Sequence, residues 1–315
     1  MRLGVLILPE DPWSVAAEKW RCVEQLGFDH AWTYDHLAWR SLRDEPWFAA
    51  VPTLAAAAAV TSRLRLGTLV ASANFRHPVP FARELITVDH IAGGRLTVGL
   101  GAGGVGWDTT MLGQPAWRPQ ERVARFAEFV ALLDDLLRHV ETTARGEFWQ
   151  AVEARMYPGC VQTPRVPFAI AATGRRSMEV AARFASIWVT NGDRGHSGAP
   201  LGPDDGAAVV ARQLARFEEV CAVVDRDPAE IDRLVLTGPR LDPGVGSASQ
   251  FAEVVAAYAA VGATDLVVHY PRQTGPYAGD DSVLELVAEH ATTLSEGVAG
   301  DRRGHATPGG ADPTE

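Results

Sequence analysis

Short apolar runs alternate with longer amphipathic stretches along nearly the whole chain. The runs at Leu3–Leu8, His30–Tyr34, Leu64–Val70, Leu96–Leu100, Pro167–Ala171, Ser186–Thr190, Arg233–Thr237 and Asp265–His269 read as strands. The stretches between them carry helical periodicity near residues 14–26, 48–61, 79–92, 119–139, 175–184, 206–224, 248–260 and 281–294. Strands this uniformly apolar belong to a parallel sheet covered on both faces. Eight β/α repeats in order predict an α/β fold, a (β/α)8 TIM barrel, ahead of a doubly wound open sheet. Two insertions interrupt the period. Residues 141–166 follow the fourth helix and hold a β-rich run, Glu147 to Met156; residues 191–205 follow the sixth strand as a Gly/Pro/Asp loop. A long loop at the C-terminal end of a barrel strand is a place for substrate selection. The barrel is therefore set at residues 1–296, and the Gly/Pro/Asp/Thr tail at 297–315 is expected to be disordered.

The most informative segment is Leu85 to Gly104. It reads as a helix end, a Gly93-Gly94 turn, a buried strand and a glycine-paved exit. Gly99-x-Gly101-x-x-Gly104 matches a dinucleotide fingerprint literally. Such a turn must open directly into a helix that holds a pyrophosphate, whereas this loop runs on to Pro115 before a helix starts. A nicotinamide site is disfavoured, and the exit is read as bare backbone that a flat ligand can approach, with Ala102 and Gly103 against it.

Composition narrows the class. A net charge of −10 with no basic stripe argues against a nucleic-acid partner. The longest apolar stretch, around Leu54–Val60, is too short to span a bilayer. With a strand at the very start and no cleavable small-residue site after it, a cytoplasmic location is expected. Cys22, Cys160 and Cys221 are scattered, form no metal-type pair, and are expected to be structural thiols; no metal site is expected.

Three places carry candidate chemistry. Asp35-His36 ends the second strand with an acid beside an imidazole, and an imidazole with a pKa of about 6.5 can move one proton at working pH. Ala171 to Ser177 leaves the fifth strand into a helix, whose free N–H groups suit a phosphate; Ser177 and an arginine are its expected side-chain partners. Trp39, Trp47, Trp107 and Trp117 lie near strand ends and together suggest an aromatic-walled pocket, each singly being the more ordinary packing residue.

These residues resemble the luciferase-like oxidoreductase superfamily, which uses FMN or the deazaflavin coenzyme F420. The likeness lies in Asp29-His-Ala-Trp-Thr-Tyr-Asp35-His36, Thr61 to Val70, Arg76-His77-Pro78, Asp89 to Gly103, Val161 to Pro167 and Ile170 to Ser177, in order over roughly residues 1–290. The pattern is closer to the deazaflavin-dependent branch. The resemblance implies His36 as the acid/base, with Asp35 fixing its tautomer or touching the ring. It implies a non-prolyl cis peptide at Leu69-Val70 behind the ring, with Ser72 and Asn74 at its edge. The loop Ala172, Thr173, Gly174, Arg175, Arg176 and Ser177 would hold the phosphate-bearing tail, and Asn191 would be a further contact. The chain departs from the pattern at Gly104, where several deazaflavin enzymes place a glutamate; the second proton donor is absent or is supplied by Asp108. With Lys19 the only lysine, a sugar phosphate is disfavoured as substrate. The expected function is hydride transfer between F420 and a small organic molecule, with Trp39, Trp107 and Asp108 toward the substrate. The alternatives are an FMN-dependent monooxygenase, which would need a partner flavin reductase, and a non-catalytic flavin-binding barrel. Homodimers through helices beside the barrel are a further implication.

Overall fold

Helix boundaries follow from local chemistry. The computed structural model describes residues 1–289 apart from Val105, Arg194, Ser197, Pro239 and Asp281, so the tail expected at 297–315 and the end of the helix expected at 281–294 lie outside the described residues. The elements are β1 (Arg2–Leu6), α1 (Trp13–Gln25), β2 (His30–Thr33), α2 (Ala50–Val60), β3 (Arg65–Ser72), α3 (Pro78–Ala92), β4 (Leu96–Gly101), α4 (Trp107–Thr110), α5 (Pro119–Arg138), β5 (Glu141–Arg145), β6 (Gln150–Arg155), β7 (Phe168–Ala171), α6 (Arg175–Phe184), β8 (Ile187–Thr190), α7 (Pro203–Val223), β9 (Asp232–Leu236), α8 (Ala248–Ala260) and β10 (Asp265–His269). Proline opens α3, α5 and α7, where its fixed φ suits the first turn and no N–H is lost from the ladder. Ser247 caps α8 by accepting from the Gln250 N–H at 3.2 Å. Gly93 ends α3 at φ 59°, a left-handed position that glycine takes without a Cβ penalty.

Eight parallel strands close into a barrel in the order β1-β10-β9-β8-β7-β4-β3-β2, which is the (β/α)8 fold expected from the periodicity. β5 and β6 lie outside it as an antiparallel hairpin, the substance of the first insertion. The hairpin turn is held by one carboxylate: Glu128 on α5 accepts from the backbone N–H groups of Glu147, Phe148 and Trp149. Apolar packing falls into two layers. Leu6, Trp32, Leu69, Ala169, Val189, Leu234 and Val267 fill the barrel interior, and a larger cluster lies between strands and helices.

At the N-terminal end of the barrel Asp265 accepts from Arg2 Nε and Nη2, both at 2.7 Å, and lies 3.1 Å from His30 Nε2. Trp32 Nε1 donates to His30 Nδ1 at 2.7 Å, which places the His30 ring proton toward Asp265. Arg2 also meets Asp232 at 2.6 Å, so the first strand is bonded to the last two. The opposite, C-terminal end carries the large cavity.

Candidate active site

β3 supplies the back of this cavity. The Leu69–Val70 peptide is cis, and the pairing of β3 with β4 shifts register between Thr68 and Ala71. β4 is shaped to receive the bulge. A Cβ on Gly99 would run into the Thr68 carbonyl, one on Gly101 would stand 2.6 Å from Val70 Cγ2, and one on Gly103 would collide with Asn74. The glycines that mimic a dinucleotide fingerprint are thus there for strand-to-strand approach, and the loop after them holds only the single turn α4 before α5.

The cavity encloses about 410 Å³, in the size range of small-molecule sites. Leu69, Val70, Gly101, Gly103 and Gly104 line one side; Ala171, Ala172, Thr173, Val189 and Asn191 continue it; Tyr34, His36, Trp39 and Tyr277 face them. Of the residues expected from sequence, His36, Trp39, Leu69, Val70, Gly103, Ala172, Thr173 and Asn191 are therefore brought together.

His36 is oriented by a residue distant in sequence. Its Nδ1 lies 2.7 Å from Asp108 Oδ2, and Asp108 Oδ1 accepts from the Leu37 N–H at 2.8 Å. Both carboxylate oxygens are thus engaged, one by the His36 ring and one by the Leu37 N–H. His36 Nε2 is the ring nitrogen left for a ligand. The His36 carbonyl accepts from Trp47 Nε1 at 2.9 Å, and Trp47 in turn stacks on Trp39, which stacks on Tyr34.

Asp35 has a different job from the one expected. Its carboxylate is buried and receives both Arg76 Nε at 2.5 Å and Arg76 Nη2 at 2.7 Å, with Glu84 3.0 Å from Arg76 Nη1. It neither holds His36 nor lines the cavity. Ser72, Asn74 and Ala102 are likewise buried behind the wall, with Asn74 Nδ2 donating to the Gly104 carbonyl at 3.3 Å. Trp107 packs under the Arg43 guanidinium, 3.9 Å from its ring centroid, outside the cavity lining.

The phosphate-type loop is also redistributed. α6 begins at Arg175 behind Thr173, and the first hydrogen bond into the preceding turn is Met178 N to Gly174 O, so the N–H groups of residues 175–177 face the cavity end of the helix. Ser177 Oγ donates to the Gly174 carbonyl at 2.8 Å. The expected arginine partners lie elsewhere: Arg175 reaches out toward Glu179 at 3.7 Å, and Arg176 lines a groove between α5 and α6. Three other arginines, Arg40, Arg240 and Arg122, line the cavity; Arg122 stands in the first turn of α5, with Nη1 donating to the Trp117 carbonyl at 2.8 Å. It was missed because its side comes from a helix that follows a long loop, with no local motif to mark it.

The two tyrosines of the wall are joined to a buried histidine. Tyr34 Oη is 2.8 Å from His269 Nε2 and 3.4 Å from Tyr277 Oη, and the His269 and Tyr277 rings stack at 3.6 Å. Burial pushes His269 down to about 3, so it is neutral at working pH, and burial raises both tyrosines so that they keep their protons. The lone histidine at the end of β10 gave no sequence signal of this packing.

A parallel eightfold barrel, a β3 bulge against a glycine-stripped β4, and an imidazole at the cavity define the architecture of the site. The chain belongs to the luciferase-like monooxygenase family, whose model matches residues 1–239. It is 32% identical over 228 residues to an F420-dependent glucose-6-phosphate dehydrogenase of Beutenbergia cavernae, a match covering 70% of this chain and 62% of that protein. The fold superposes on the coenzyme F420 dependent tetrahydromethanopterin reductase of Methanopyrus kandleri with a TM-score of 0.73 at 19% identity, over 91% of this chain and 97% of the other. It superposes equally, TM-score 0.73 at 22% identity, on the monooxygenase RslO1 of Streptomyces bottropensis, over 94% and 100% of the two chains. No described helix is long and apolar enough to cross a membrane.

Proposed function

We propose that the protein is an oxidoreductase that moves hydride between coenzyme F420 and a small organic substrate held in this cavity. The observation that carries the reading is the His36–Asp108 pair, set at the cavity with Nε2 toward the space that Val70 and the β4 exit bound on the other side. The residues fit a flat ring with a phosphate-bearing tail: bare glycine backbone at 101, 103 and 104 admits close approach, and Thr173, the α6 N-terminus and Arg122 form an anion-friendly end. The relative named as F420-dependent supports that cofactor.

The cofactor would supply a carbon centre that exchanges hydride and reacts poorly with oxygen. The chain's own residues do the rest. His36 Nε2 gives or takes the single proton that accompanies hydride transfer at the substrate, and Asp108 fixes the tautomer with the proton on Nδ1. The Trp47–Trp39–Tyr34 stack excludes water from one flank, and much of the rate comes from orientation. A cytoplasmic location and homodimers through helices beside the barrel are part of the proposal.

Titration of the protein in parallel with F420, FMN and reduced FMN, followed by quenching of the cavity tryptophans, tests the assignment. Binding of the deazaflavin in preference to both flavins is the expected result. Preference for reduced FMN would replace it with an oxygen-using monooxygenase served by a partner reductase, and binding without turnover of any substrate class would point to a non-catalytic barrel.

A further inference from the structure

Several arginines that reach into the fold are matched with acids. Arg76, Arg165 and Arg272, all largely buried, and the exposed Arg2 each meet a carboxylate within 4 Å. Acids are abundant, 39 against 29 basic residues. Yet Arg40, in the loop after β2, and Arg240, in the loop after β9, both line the cavity, and no described carboxylate lies within salt-bridge distance of either guanidinium. Asp193, whose charge bears on Arg240, accepts from the Gly195 N–H at 2.9 Å. Burial first, and the charge of Arg40 second, hold Arg240 below the usual arginine range.

The two arginines are also fixed in place. The Arg240 carbonyl accepts from Leu201 N at 2.9 Å, within a bridge between Leu201 and Leu241 that ties down the second insertion. Arg40 starts a single 3-10 turn, Arg40–Leu42, with its guanidinium 5.2 Å from the Trp39 ring centroid. The hydroxyls of Tyr34 and Tyr277 lie close enough to feel both charges. In the barrel order, β9-β10-β1-β2 form the half that carries this cluster, while the β3 bulge, the β4 exit and Thr173 lie on the other half.

We propose that Arg40 and Arg240 form an anion subsite that seats the acidic group, a carboxylate or a phosphate, of a substrate whose flat body packs on Trp39. Charge-assisted hydrogen bonds from paired guanidiniums suit such a group, and with Lys19 far along α1 the arginines do this work alone. Naming the anion as substrate rests on the oxidoreductase reading; the existence of the subsite does not.

The test is a titration of F420-loaded and cofactor-free protein with benzoate and with inorganic phosphate at constant ionic strength, for wild type, Arg40→Gln, Arg240→Gln, Arg240→Lys and the charge-matched control Arg183→Gln. One of the two anions should bind wild type and lose about tenfold or more in each glutamine variant, with Arg240→Lys in between and Arg183→Gln unchanged. Tighter binding of phosphate or of benzoate says which acidic group the site prefers. Failure of both anions to bind, or binding by Arg40→Gln and Arg240→Gln as tight as by wild type, overturns the subsite. Anion binding in a protein that binds no F420 keeps the subsite and removes the oxidoreductase reading; F420 binding without anion binding does the reverse.

Discussion

Two adjacent acids and bases at the end of β2 do unlike work, and single substitutions separate them. His36→Asn should keep cofactor binding within a few-fold and lower turnover by about a hundredfold or more, since the proton carrier is gone. Asp108→Asn should give a similar loss. Its amide can still accept from Leu37, but it presents an N–H to His36 Nδ1 and favours the wrong tautomer. Asp35→Asn acts on folding: it strips the buried partner of Arg76 and should cost about 3 kcal/mol in a urea titration, with turnover per folded molecule largely kept. Equal loss of turnover in the Asp35 and Asp108 variants would overturn this division. Such a division is invisible in one dimension. His36 and Asp108 are 72 residues apart and Asp35 and Arg76 are 41 apart, so neighbours in sequence suggested a pair that the fold dissolves.

At the scale of elements, the strands and helices were legible because both periods are local. Each of the eight expected strands lies on an observed barrel strand, and the two insertions lie where the period breaks. What local pattern could not supply is which element faces which. The spacing Gly99-x-Gly101 has the look of a phosphate turn, yet its cause is a neighbouring strand whose bulge leaves no room for a side chain. Gly99→Ala should therefore cost about 1–3 kcal/mol by overpacking against the Thr68 carbonyl and weaken cofactor binding with it. Gly104→Ala, with open space around its Cβ position, should leave the unfolding midpoint unchanged. Comparing the two midpoints checks the argument; a fall of equal size in both would put the glycines' role in the backbone conformation instead.

Across the whole molecule, the buried His269 couples stability to pH. Its value of about 3 in the folded state lies below the ordinary histidine value near 6.5, so the unfolded chain takes up the proton first as pH falls. This contribution is intact above 6.5 and is lost between 6.5 and 3, at about 1.4 kcal/mol per pH unit. His269→Gln should flatten the dependence of urea midpoint on pH across that window relative to wild type, whatever its effect at pH 7. Parallel curves for the two proteins would count against a buried neutral imidazole.

The clasp at the other end of the barrel has a consequence for how the protein is made. Arg2 and its partner Asp265 lie 263 positions apart, so β1 is synthesised well before the strand that closes on it. At ordinary translation rates the first strand waits roughly a quarter of a minute to a minute for the strand that closes the ring. Throughout that interval β1 offers an unpaired edge, which is an invitation to the wrong neighbour. A ribosome stalled before β10 would thus release an open sheet, and the nascent chain's need for a chaperone should end when Asp265 emerges.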